Sequence, residues 1–269
     1  MPSIHILSTL MTTALLMITS SHAAPFVTTQ PSYVGQDCDI ALFATQALVQ
    51  EKGGVQGTYD FAMGIMRGSY NLSKSFTAEI GLPVSKYWFA TNETMAACRA
   101  KSGSLCDAAF GSPHDTAADQ LDAFKTILQD KNGYFGNQAK TSCANMLLGA
   151  GTWADPKDLT MGLSLTGTAC NSDATNVGYV HTNLAGKPLD AREQMVVMTH
   201  EILHILGASH DERYNQQKCL GNFIESTVTE ESSVNLTKES PCTVSAVAKY
   251  LSQNGTCLKT SDISRAKQF

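Results

Sequence analysis

Short apolar runs alternate along this chain with stretches in which apolar residues recur every three or four places. The first pattern predicts strands and the second helices. Residues 24–37 are polar and carry proline, and read as an arm or short linker. Residues 40–49 are apolar and predict a strand running into a turn; residues 51–57, with three glycines, predict a loop. Tyr59, Ala62, Met63, Met66 and Tyr70 then fall at helical spacing, which predicts a helix over 58–76 with Thr58 as its N-cap. Residues 80–90 read as a strand, with Pro83 pointing to an edge or an irregular start. Residues 98–115 look like a loop. Leu121, Phe124, Ile127 and Leu128 predict a helix over 116–131, stopped by Asn132-Gly133. Three strands are expected next: 144–150, apolar and buried; 160–169, loosely alternating, at a sheet edge; and the short run 177–181. A helix over 189–206 follows, with Met195, Val196, Met198, Ile202, Leu203 and Leu206 apolar. This order predicts an α/β fold, a sheet with helices packed on it. Beyond Gly207 the chain turns polar and cysteine-bearing, with one helix expected at 244–251. That composition suits a small lobe stapled by disulfides, with a cleft between the lobes.

The helix over 189–206 carries the chemistry. His200 and His204 stand four residues apart, so a helix puts both imidazoles on one face, one turn apart. Both can reach a single metal ion, while Glu201 beside them can contact a water on that ion without ligating it. Gly207 can take positive φ, stop the helix and turn the chain. His210 can then return as a third ligand. Three protein ligands leave a fourth zinc position open, which distinguishes a catalytic site from a closed structural one. The whole pattern, H-E-x-x-H-x-x-G-x-x-H-D ending at Asp211, is far more specific than its first five residues.

Composition sets the setting. The 269 residues suffice for one large domain or two lobes sharing a core. With 43% hydrophobic and 16% charged residues the chain is globular, not disordered. A net charge of −5 with scattered basic residues argues against a nucleic-acid or anionic-membrane partner. Residues 1–23 read as a secretory signal with a cut before Ala24, and no later run has the length of a membrane anchor. Eight cysteines behind such a signal point to disulfides and a secreted, extracellular protein. N-x-S/T sequons at Asn71, Asn92, Asn235 and Asn254 fit the same compartment as glycosylation sites. The expected molecule is a monomer, with signal (1–23), arm (24–37), catalytic domain (38–260, upper lobe 38–207 and lower lobe 208–260) and tail (261–269). His181 ends a strand and reads as structural; Trp88 and Trp153 read as core or rim aromatics.

These residues together resemble the ADAM/adamalysin (reprolysin) branch of the metzincin zinc peptidases, of which an aspartate after the third histidine is typical. The likeness extends over Thr160-Met161-Gly162-Leu163-Ser164 with Cys170, over Gly221-Asn222-Phe223-Ile224, and over the segments at Cys242 and Cys257. It implies a metzincin fold: an upper lobe with a twisted, mixed, five-stranded sheet and long helices, and a small lower lobe. It also implies a zinc endopeptidase acting on a protein or peptide. His200, His204 and His210 would hold one Zn2+, and Glu201 would take a proton from the water on it and hand it to the leaving amine. The backbone of Met161, Gly162 and Leu163 would pair with substrate as an added antiparallel strand. Family pairing implies Cys170–Cys257 and Cys219–Cys242; among the other four cysteines we expect Cys38–Cys143, joining the starts of two neighbouring strands, and Cys98–Cys106, closing a short loop. The arm 24–37 leaves little room for a pro-domain, and no disintegrin-like cysteine array follows.

The family places a methionine beneath the zinc, and this chain departs from that. Glu225 follows Ile224, and an offset of one residue puts Ile224 in the methionine's place. A carboxylate there would be turned outward, bonded to a histidine or perturbing the ligands. That departure leaves a second reading open, a zinc-holding but catalytically impaired protease acting as a binding or inhibitory protein.

Overall fold

The computed structural model describes residues 27–28, 36–72, 80–111, 114–151, 153–155, 157–184, 187–221, 224 and 238–260. The predicted signal segment, Glu225, Asn235, the tail from 261 and the last four positions of the helix predicted over 58–76 lie outside them.

Four parallel strands form the centre: β3 (Ile40–Ala44), β5 (Val84–Phe89), β6 (Ala144–Gly149) and β8 (Val177–His181), in the order β5-β3-β6-β8. β7 (Gly162–Ser164) runs antiparallel to β8 and ends the sheet, completing the expected mixed set of five. A two-residue strand, β1 (Val27–Thr28), extends it at the other edge to six. β1 lies within the segment read as an arm. Away from this sheet, β2 (Gln36–Asp37) pairs with β4 (Ile80–Gly81) and with β11 (Lys259–Thr260), and β9 (Asn183–Leu184) pairs with β10 (Lys187–Pro188).

The central strands lack polar alternation because both faces are covered. Ile40, Leu42, Met146, Leu148 and Val180 face one core, while Phe43, Leu147, Val177 and Tyr179 face a second. Over the first core lie α2 (Val55–Leu72) and α6 (Ala191–Ile205), which are in contact with each other. Over the second lie α3 (Asn92–Ser102), α4 (Ser104–Phe110) and α5 (Ala117–Gln129), with Phe110, Phe124 and Phe135 packed around Phe43. After α6, the chain makes single helical turns at Asp211–Tyr214 and Gln217–Cys219, and then α7 (Pro241–Asn254). Val247 and Leu251 of α7 join the first core, so the region beyond Gly207 shares the sheet's own interior.

Three expectations are corrected. Residues 46–51, expected to carry a strand into a turn and then a loop, form the short helix α1 (Gln46–Glu51), capped by Thr45. α2 begins at Val55, so Thr58 lies inside it and its hydroxyl donates back to the Gly54 carbonyl instead of capping. The segment read as a loop at 98–115 is mostly helix. Gly103, at φ +57°, ends α3 and starts α4 within one residue, breaking the apolar periodicity that would have revealed both.

All eight cysteines pair, as Cys38–Cys143, Cys98–Cys106, Cys170–Cys257 and Cys219–Cys242. Cys38–Cys143 joins the entries to the neighbouring strands β3 and β6. No helix among the described residues is long and apolar enough to cross a membrane.

Candidate metal centre and substrate edge

α6 is fixed at both ends by its own sequence. Asp190 caps it: its side chain accepts from the Glu193 amide while the Glu193 carboxylate accepts from the Asp190 amide. At the other end Gly207 sits at φ +100°, a conformation that side chains disfavour. Its amide donates to the His204 carbonyl and the Ala208 amide to the Leu203 carbonyl, the double bond of a Schellman turn. The turn also aims the Ala208 carbonyl at Nδ1 of His204, 2.9 Å away.

The turn brings His210 back over the helix. The ring nitrogens of His200, His204 and His210 lie within 4.8 Å of one another. His200 Nε2 and His210 Nε2 are 3.2 Å apart. Two nitrogens bound tetrahedrally to one zinc at about 2.0–2.1 Å stand about 3.4 Å from each other, so the spacing suits a shared ion. The outer nitrogens are held as metal-binding histidines require: His200 Nδ1 donates to the Ile224 carbonyl at 2.7 Å, and His204 Nδ1 to that of Ala208. This fixes the tautomer and leaves Nε2 of both rings with its lone pair facing the third histidine. Burial pushes His200 down to about 3, helped by the neighbouring His204, and His204 down to about 4. His210 is lowered as well, again by burial first. The site therefore offers three neutral imidazoles, the form that binds a cation.

Asp211 stands behind this cluster. Its buried carboxylate accepts from the hydroxyls of Ser240 and Thr243, tying the turn that carries His210 to the start of α7. Ile224, fully buried, packs in the first core and supplies the carbonyl under His200.

Glu201 is buried against β7. A Cβ added at Gly162 would come within 2.5 Å of Glu201 Oε1 and 2.7 Å of Val197 Cγ1, so only glycine leaves room for the carboxylate there. The other oxygen, Oε2, accepts from the Ser164 hydroxyl at 2.6 Å. Burial raises Glu201 to about 8 against the lowering effect of that hydrogen bond. Ser164 is the site residue that sequence reading missed. It lies in the expected edge strand, but its partner is 37 positions away and no local pattern connects them.

The edge strand is narrower toward its open side than expected. The Met161 carbonyl accepts from the His181 amide, and Leu163 sits opposite Tyr179 as the next hydrogen-bonded pair. The outward-facing backbone groups are thus those of Gly162 and Ser164, a correction to the set Met161, Gly162 and Leu163. Two depressions flank Glu201 along this edge. One of about 220 Å3 is lined by Ser164, Thr166, Ser209 and Arg213. The other, of about 180 Å3, is lined by Leu159, Thr160, Met161 and Val197. His200, Glu201 and His210 border both.

Of the remaining candidates, His181 packs at a tilt against Trp153 and is not part of the cluster, and Trp88 lies in the second core. Cys38 is in the disulfide with Cys143. Asn71, Asn92 and Asn254 are exposed on helices.

No curated protein matches the chain. The family model for metallopeptidase family M12 of the reprolysin type matches residues 34–267, a span that holds β3, β5, β6, β7 and β8 of the sheet, the histidine cluster and all four disulfides. The chain belongs to metallopeptidase family M12.

Proposed function

We propose that the protein is a secreted zinc endopeptidase, and the observation that carries this is the convergence of three neutral, oriented imidazoles beside a buried glutamate under an open sheet edge. His200, His204 and His210 hold one Zn2+. When bound, the ion supplies Lewis acidity, acidifying water and polarising a carbonyl. The outward N–H and C=O groups of Gly162 and Ser164 take the substrate backbone as an added strand and lay its scissile bond across the cluster. Glu201 accepts the proton of the attacking water and delivers it to the leaving amine. Gly207 and Asp211 keep the third ligand in place, one by turning the chain and the other by anchoring the turn.

The finer assignments follow. Asp211 directly after the third histidine favours the ADAM/adamalysin branch. Four disulfides suit an oxidising, extracellular compartment, and the exposed Asn71, Asn92 and Asn254 are open to glycosylation there. The catalytic domain spans 38–260, with the lower lobe from 208. Retention of Glu201 speaks against the impaired-protease reading, and so does the Ile224 carbonyl, which orients His200 without a methionine.

The purified protein should cleave a denatured protein substrate, stop on addition of a chelator and resume with zinc. Glu201→Ala should keep its zinc, measured by elemental analysis, and lose activity by about 100- to 10,000-fold. Undiminished turnover in Glu201→Ala would remove the mechanism.

A further inference from the structure

The two depressions beside Glu201 differ in charge. Of the described residues lining either one, Arg213 is the only lysine or arginine. It makes no ion pair among the described residues. It lines the same depression as His204 and His210. The opposite depression, with Leu159, Met161 and Val197, has no lysine or arginine among its described lining residues.

The backbone of Arg213 is held in place. It sits in the turn Asp211–Tyr214, where its amide donates to the His210 carbonyl at 3.0 Å. Tyr214 accepts from the Ser209 amide at 2.9 Å, and Asp211 is anchored to Ser240 and Thr243. Asp211 thus turns its carboxylate away from the cleft, and Glu212 is not among the residues lining either depression.

The direction of β7 decides which part of a substrate meets Arg213. β7 runs from Gly162 to Ser164. A peptide laid antiparallel on its free edge runs the other way, with its N-terminal part beside Ser164 and Thr166 and its C-terminal part beside Met161 and Leu159. The Arg213 side is therefore the N-terminal side of the scissile bond.

We propose that Arg213 makes the enzyme selective for substrates with an acidic residue shortly before the cleaved bond, within about three residues of it. The pairing deepens the peptidase reading and rests on it for the direction of the bound chain. An exposed guanidinium contributes modestly, about fivefold, and its contribution shrinks with salt.

Binding tests this apart from turnover. Three fluorescent peptides identical except for Glu, Gln or Lys before the scissile bond would be titrated, by anisotropy at low salt, into zinc-loaded Glu201→Ala protein. The Glu peptide should bind about fivefold tighter than the Gln peptide and tighter still than the Lys peptide. Adding Arg213→Gln should erase the margin, and adding Arg213→Glu should turn it toward Lys. Equal binding of the Glu and Gln peptides, an unchanged margin in Arg213→Gln, or no binding of any peptide overturns the proposal. Cleavage of the same peptides by the wild-type protein reads the peptidase assignment separately: the expected binding order without cleavage would sink that assignment, and with it the selectivity in cleavage, and would leave Arg213 only as a binding contact for acidic peptides.

Discussion

At the scale of single residues, the site is a set of hydrogen bonds that each hold one atom of a functional group. His200 and His204 each give Nδ1–H to a main-chain carbonyl, and Glu201 gives one oxygen to Ser164. The Ser164 bond has a consequence for rate. A carboxylate that loses it can rotate away from the reacting water, and a hydrogen bond to a charged group is worth about 1.5–3 kcal/mol. Ser164→Ala should lower kcat by about tenfold or more while KM and zinc content stay near wild-type values, and Ser164→Thr should recover most of the rate. A change confined to KM in steady-state kinetics would show that the hydroxyl does not position the base. The ligands were legible in the sequence because a helix relates positions 200 and 204 by fixed geometry, and Gly207 signals the turn that returns position 210. Ser164 was not, because sheet edge and helix meet only in the folded chain.

At the scale of elements, α6 and the turn after it form one device. The amides of Gly207 and Ala208 close the helix, and the same turn presents a carbonyl to His204 and sends the chain on to His210. A side chain at Gly207 would meet strained backbone at φ +100° and place a Cβ 2.5 Å from that of Tyr250. Gly207→Ala should therefore destabilise the protein by about 1–3 kcal/mol. It should also weaken zinc binding, because the third ligand moves with the turn. Thermal unfolding and competition with a chelator measure the two effects, and unchanged zinc affinity would detach the turn from the metal site. The elements that were legible are those with unbroken periodicity, such as α5 and α6, or runs buried on both faces, such as β3 and β6. α3 and α4 were hidden by Gly103, and the start of α2 by a threonine whose hydroxyl bonds backward inside the helix.

At the scale of the whole molecule, the disulfides differ in what they restrain. Cys38–Cys143 links positions 105 apart, whereas Cys98–Cys106 closes a separation of 8. In the chain-entropy account these correspond to about 4.7 and about 2.5 kcal/mol. Urea unfolding of Cys38→Ser/Cys143→Ser should show a distinctly larger loss of stability than that of Cys98→Ser/Cys106→Ser. The reverse order would mean that local packing, not loop closure, sets their value. The first bridge also ties two neighbouring parallel strands of the central sheet, so its loss should reach the sheet, while loss of the second should stay within α3 and α4.

The support under His200 comes from the backbone of Ile224, and every amino acid carries that same oxygen. Position 224 is thus filtered by shape and greasiness instead of by any particular heteroatom, and leucine, valine or methionine should be interchangeable there across evolutionary time, whereas a bulky polar replacement should not.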